Sequence, residues 1–151
     1  MLQASISALT PTSHRFFSQR LRMHYVEWGS PKDLTIVPVH GVRDHCRTWD
    51  DLIQRLSAQG NFHFIAPDLR GHGDSDWVQG SGYRYDDYIY DLQQLIEQRD
   101  LGPVILVGHS LGGAIAAFFA GVYPEHVRKL ILLEGIGLWR SEVEDSGTAA
   151  L

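Results

Sequence analysis

Apolar residues alternate along the first third of the chain and then recur in blocks separated by turn chemistry. Arg15 to Gln19 and Leu21 to Trp28 predict two strands of a hairpin, the second placing Leu21, Met23 and Tyr25 opposite Arg22, His24 and Val26 as a half-buried strand. Gly29 to Asp33 predicts a turn, and Leu34 to Val39 a third strand, with Pro38 expected to mark its end or a bulge because proline has no N–H for a ladder. Trp49, Leu52, Ile53 and Leu56 share one helical face within Arg47 to Gln59, and Gly60 follows as a stop signal. Phe62 to Ala66 is a short apolar strand that runs into a long polar loop, Pro67 to Asp76.

A second amphipathic helix is defined by Tyr85, Tyr88, Ile89, Leu92, Leu95 and Ile96, with Asp86 and Asp87 in the first turn, where the helix dipole favours them. Val104 to Val107 suits a strand covered on both faces, the helix-like run Leu111 to Phe119 follows it, and Arg128 to Leu133 predicts a sixth strand. A hairpin followed by alternating strands and helices predicts an α/β fold with a doubly wound, mainly parallel sheet of about six strands. Residues 1–13 are expected to be a loose leader, 14–140 the core, and 141–151 a polar tail.

Composition narrows the class without changing the pattern. Of 151 residues, 44% are hydrophobic and 21% charged, as in an ordinary globular domain. The net charge of −5 gives no electrostatic footprint for nucleic acid. A single cysteine, Cys46, excludes an internal disulfide and fits a reducing compartment. With neither a signal-peptide pattern nor a membrane-length apolar run, the expectation is a cytoplasmic protein with no membrane partner.

Chemistry concentrates where the predicted strands end. Gly108-His109-Ser110-Leu111-Gly112 is a Gly-x-Ser-x-Gly pattern between a strand and a helix. A serine at the tip of so tight a turn needs neighbours without a Cβ, and the following helix start supplies free N–H groups and a positive dipole end beside its oxygen. The turn alone is a modest signal, compatible with a plain strand–glycine–helix connection. Two companion segments, His40 to His45 and Asp68 to Asp76, lie at the ends of other strands, which is where sites form in such sheets.

With His40-Gly41, Pro67-Asp68-Leu69-Arg70-Gly71-His72-Gly73-Asp74-Ser75 and Gly108-His109-Ser110-Leu111-Gly112-Gly113 in this order, the chain resembles the N-terminal part of an α/β-hydrolase over residues 15–140. The resemblance implies a serine hydrolase with Ser110 as nucleophile and the backbone N–H groups of Val42 and Leu111 as oxyanion donors. It implies no cofactor, and a small-molecule substrate carrying an ester, thioester, lactone or activated C–C bond. It places the catalytic histidine after an eighth strand and the acid usually after a seventh. The sequence is therefore expected to be a truncated fold in which none of the eight histidines is the base, with weak or no activity alone. Residues after 140 would begin a cap or the remaining fold.

Glu134, ending the sixth strand, is a candidate acid, since some relatives such as haloalkane dehalogenases put theirs there; the alternative is a polar cap. Serine at the elbow argues against the aspartate chemistry of those dehalogenases and of epoxide hydrolases. His40, Gly41, Arg43 and His109 are candidate substrate-binding residues, with Arg43, Asp44 and His45 equally readable as a solvated loop. The run His40 to His45 also resembles the His-x-His-x-Asp-His signature of metallo-β-lactamase-like hydrolases, but Val42 replaces a ligand, and no metal is expected. Asp68 is expected to hold neighbouring backbone, with Gly71 and Gly73 permitting the turn, and Cys46 to be a small residue at a helix start. Trp139 stands where a cap would begin. A sheet ending at the sixth strand leaves an open edge, so self-association is expected. The competing function is a non-catalytic hydrolase-like module that keeps the pocket for ligand binding or interaction.

Overall fold

The computed structural model describes residues 9–134. Six strands form one sheet in the order β1-β2-β4-β3-β5-β6, with β1 Thr12–Ser18, β2 Leu21–Trp28, β3 Leu34–Val39, β4 Phe62–Pro67, β5 Val104–His109 and β6 Val127–Leu133. The hairpin pairs β1 with β2, and β2 runs antiparallel to β4, whereas β3–β4, β3–β5 and β5–β6 are parallel. Three helices flank it: α1 Asp50–Ser57, α2 Tyr85–Gln98 and α3 Leu111–Val122. The expected doubly wound, mainly parallel architecture is present.

Alternation along the strands divides the interior into two cores. Val37, Val39, Ile65, Val104 and Leu106 face α2 and α3, meeting Leu92, Leu95, Ile96, Ile115 and Phe119. Val26, Trp28, Ile36, Phe64, Ala66 and Val107 face the other way, toward Cys46, Trp49 and Ile53. Such two-sided burial is the main hydrophobic stabilisation, at about 25 cal/mol per Å² of apolar surface removed from water.

Several local expectations change. The first strand starts at Thr12, inside the segment expected to be a loose leader. β2 is covered on both faces rather than one, because it lies between β1 and β4 with a core on each side, so His24 and Glu27 are buried. Pro38 stays within β3 with no bulge; pairing to β4 stops at Ile36, and only the β5 side continues to Val39. The helix expected from Arg47 is a 3-10 turn, Cys46–Trp49, followed by α1. That tighter turn shifts the phase of the apolar stripe, so Trp49 and Ile53 are buried while Leu52 is exposed.

β6 pairs with β5 alone among the described residues, and Ile131, Leu132 and Leu133 are exposed on it, as are Phe118 and Val122 of α3. Trp139 and the segment 141–151 lie outside the described residues.

Candidate active site

Ser110 links β5 to α3 in a backbone conformation of φ 53° and ψ −118°. A non-glycine residue is held there only when its surroundings over-determine it, at a cost of about 1–3 kcal/mol. Three constraints do so. The Ser110 N–H donates to Leu133 O at 3.0 Å, and the Ser110 carbonyl accepts from Gly113 N at 2.9 Å and Ala114 N at 3.2 Å. The third is proximity. A Cβ on Gly108 would collide with the Gly112 carbonyl oxygen, and one on Gly112 with the carbonyl oxygens of Val39 and His40. The expected strand, tight turn and helix are therefore in place, with glycine required on both sides of the serine.

The end of β3 is brought to the same point: a Cβ built on Gly41 would lie 3.2 Å from both Ser110 Cβ and His109 Nδ1. Val42 follows Gly41 and is exposed, and Leu111 opens α3, whose first N–H groups have no intrahelical acceptor. Arg43 is exposed beside Val42 in a left-handed conformation, φ 61°. Asp44 and His45 are spent locally, Asp44 Oδ1 accepting from His45 N at 2.9 Å and His45 Nδ1 from Arg47 N at 3.2 Å. Glu134, exposed at φ 49°, directly follows the residue whose carbonyl holds Ser110 N.

His40 shapes this loop from beneath. Its ring is fully buried, with Nδ1 2.7 Å from Gly41 O and Nε2 accepting from Leu69 N at 3.0 Å, which fixes the Nδ1–H tautomer. Burial holds its pKa below 6.5, with the neighbouring His72 acting in the same direction. With both nitrogens committed, the His40 side chain acts on the site through the position of Gly41. His109 is half-buried beside Gly41, and among the described residues no side-chain hydrogen bond joins Ser110 to a histidine.

Asp68 organises the neighbouring turn. Its carboxylate accepts from Cys46 N at 2.6 Å, Asp74 N at 2.9 Å and His24 Nδ1 at 2.7 Å. Burial alone would raise its pKa, but these donors outweigh burial and hold it below 3.8. The Asp68 carboxyl also occupies the space a Cβ on Gly73 would need. Arg70, expected only as part of this loop, is a buried cation clamped by Asp91 through two 2.7 Å hydrogen bonds and by Gly82 O at 2.7 Å. The signal for that pair is Asp91 itself, a carboxylate within the apolar stripe of α2.

Atoms of His24, Cys46 and Asp68 lie within 4.8 Å of one another and are the donor set closest to a metal site among the described residues. Both Asp68 oxygens already accept backbone N–H groups, and burial raises the Cys46 thiol pKa, so the cluster fits a hydrogen-bonded core better than a cation. A hollow of about 630 Å³ lies at the opposite end of the sheet, lined by residues such as Gly29, Ser57 and Phe62, far from the strand ends that carry the chemistry.

Over residues 30–142 the chain matches the family of serine aminopeptidases S33. It is 35% identical over 112 residues to Lipase LipV of Mycobacterium tuberculosis, covering 74% of this chain and 41% of that protein. It is 31% identical over 122 residues to a serine hydrolase-like protein of Danio rerio, covering 80% of this chain and 37% of that one. Among solved structures, that of a putative lipase from Acinetobacter baumannii superposes with a TM-score of 0.80 at 31% identity, covering 90% of this chain and 44% of that chain. The chain thus spans about two fifths of the length of these relatives.

Proposed function

The chain belongs to the α/β-hydrolase superfamily, and from that premise we propose that it is a serine hydrolase working through an acyl-enzyme on Ser110. The observation that carries this reading is the strained Ser110 backbone, φ 53°, at the start of a 12-residue helix and against Gly41. Such a position gives the hydroxyl little function in packing and much in presentation.

Ser110 Oγ attacks the carbonyl carbon of a small ester, thioester, lactone or activated C–C substrate, and its proton passes to a histidine base. The base comes from outside the 151 residues, in the part of the family fold that follows β6, with Glu134 as the candidate acid that orients it. The tetrahedral oxyanion is held by the N–H groups of Val42 and Leu111, each such donor contributing about 3 kcal/mol in the transition state. The proton then goes to the departing group, and water hydrolyses the acyl-enzyme. Similarity to proteins named as lipases favours carboxylic esters. Arg43 and His109 flank the substrate, and self-association runs through the exposed apolar surface of β6 and α3, so a monomer mass by light scattering would exclude that contact.

No helix among the described residues is long and apolar enough to cross a membrane. The competing reading is a hydrolase-like binding module that keeps the pocket without turnover. Turnover of p-nitrophenyl acetate separates the two. The 151-residue chain is expected to turn it over weakly or not at all, and the protein with the histidine-bearing remainder of the fold to do so in a Ser110-dependent way. Turnover by that longer protein unchanged in Ser110→Ala overturns the assignment.

A further inference from the structure

A second hydroxyl–imidazole–carboxylate relay lies away from the elbow, on the hairpin side of the sheet. Ser13 of β1 pairs with Val26 of β2, and Arg15 with His24, which makes Ser13 and His24 diagonal neighbours on one face. Ser13 Oγ is 2.7 Å from His24 Nε2, and His24 Nδ1 is 2.7 Å from Asp68 Oδ2. The order of donors follows from Asp68. Held ionised, it can only accept, so Nδ1 carries a proton; in the neutral imidazole Nε2 is then the bare nitrogen, and the Ser13 O–H donates to it. This is the tautomer and orientation that a serine nucleophile needs.

The imidazole is also fixed in position. His24 N donates to Ser75 Oγ at 2.9 Å, Ser75 Oγ donates to Asp68 O at 2.7 Å, and Asp68 N donates to His24 O at 2.9 Å. His24 and Asp68 are buried, whereas Ser13 is exposed and opens onto a hollow of about 240 Å³ lined by Val26, His45, Arg47, Gly73 and Asp74. That volume takes a small acyl group and not a long chain.

We propose that Ser13 is a second reactive serine, acylated by small activated esters with His24 as general base and Asp68 as the group that orients it. In the step, a bond forms between Ser13 Oγ and the acyl carbon, and the bond from that carbon to the alcohol oxygen breaks. The Ser13 proton moves to His24 Nε2 and from there to the departing alkoxide. With a fluorophosphonate, the Oγ–phosphorus bond forms, the phosphorus–fluorine bond breaks, and fluoride leaves while His24 keeps the proton. The proposal concerns transfer onto Ser13 and is independent of the assignment of Ser110.

The molecule carries its own reference. Thr35 Oγ1 lies 2.9 Å from His63 Nδ1, and His63 Nε2 lies 2.7 Å from Glu27 Oε1. There the carboxylate is shared with Arg99 at 3.0 Å and His14 at 3.3 Å, and the hydroxyl is a half-buried secondary alcohol. It has the same hydroxyl–imidazole–carboxylate order with the two ring nitrogens exchanged, and it lacks the exposed primary hydroxyl.

The test is a fluorophosphonate reaction of the Ser110→Ala protein, with adducts located by peptide mass mapping. Ser13 is expected to be labelled at least tenfold faster than the exposed Ser81 and than Thr35, with no such adduct in Ser13→Ala. Folded His24→Gln is expected to label at least tenfold more slowly at residue 13. Labelling of Ser13 no faster than Ser81, or undiminished in folded His24→Gln, overturns the proposal. If His24→Gln does not fold, the Ser13 to Ser81 ratio decides alone. Ser110 lies in a different peptide, so its adduct in the unsubstituted protein is scored separately.

Discussion

The Ser110 elbow and the Asp68 turn stand at the same end of the sheet, after strands separated only by β3, and they are built by opposite means. The elbow is made by leaving atoms out: Gly108, Gly112 and Gly41 let three stretches of backbone meet, and the serine bears a strained φ. The Asp68 turn is made by filling every valence, one carboxylate tying Cys46, Asp74 and His24 together. A site built from backbone contact tolerates loss of its side chain and not the addition of one. A site built from a saturated side chain has the reverse sensitivity.

Four substitutions and one titration press on that contrast. Gly112→Ala brings a Cβ against the carbonyl oxygens of Val39 and His40, which cannot move independently of β3. It is expected to destabilise the fold by about 3 kcal/mol or more in urea unfolding, and a loss under about 1 kcal/mol would show that the strand and helix can separate cheaply. Asp68→Asn sets an NH₂ against a backbone N–H and removes the charge, for an expected loss of about 2–3 kcal/mol. Ser110→Ala, removing a side chain from the elbow, should change stability by no more than about 0.5 kcal/mol; an equal loss in both would erase the distinction.

The titration is with acid. Asp68 has a folded pKa below its ordinary 3.8, so its contribution is present above that value and is lost as pH falls through the lower folded value. His40 has a folded pKa below 6.5, so stability is full above 6.5 and declines as pH drops beneath it, when the unfolded chain binds the proton first. A melting temperature that falls in two stages on acidification is expected, the lower stage absent in Asp68→Asn. Ser110→Gly relieves the positive φ and should exceed Ser110→Ala in stability by about 1 kcal/mol. Equal melting of the two would mean that little strain is held at the elbow.

The same contrast explains what could be read in advance. The strand–turn–helix part of the elbow is local in sequence: glycines two residues either side of a serine, between an apolar run and a small-residue helix, mark it, whereas its contacts with Gly41 and Leu133 are not local. The six strands and α2 are similarly legible, apart from the start of β1, because their periodicity is written in adjacent residues. The Asp68 turn depends on partners 22 and 44 residues away, Cys46 and His24. Nothing near Ser13 indicates that its hydroxyl meets His24, and a polar segment with Pro11 resembles a leader until β2 pairs with it. His24 reads as solvent-facing only while the neighbours of β2 are unknown. Asp91 within the stripe of α2 was the one visible clue to a buried ion pair, and it required Arg70 to be recognised as the partner.

The central claim is that the backbone presents Ser110 as a nucleophile, and fluorophosphonate labelling of the protein bearing the histidine-containing remainder of the fold tests it most directly. The expected result is an adduct on the peptide containing Ser110, absent from Ser110→Ala and present whether or not Ser13 is replaced. No adduct at Ser110, under conditions that fully label a reference serine hydrolase, would contradict it.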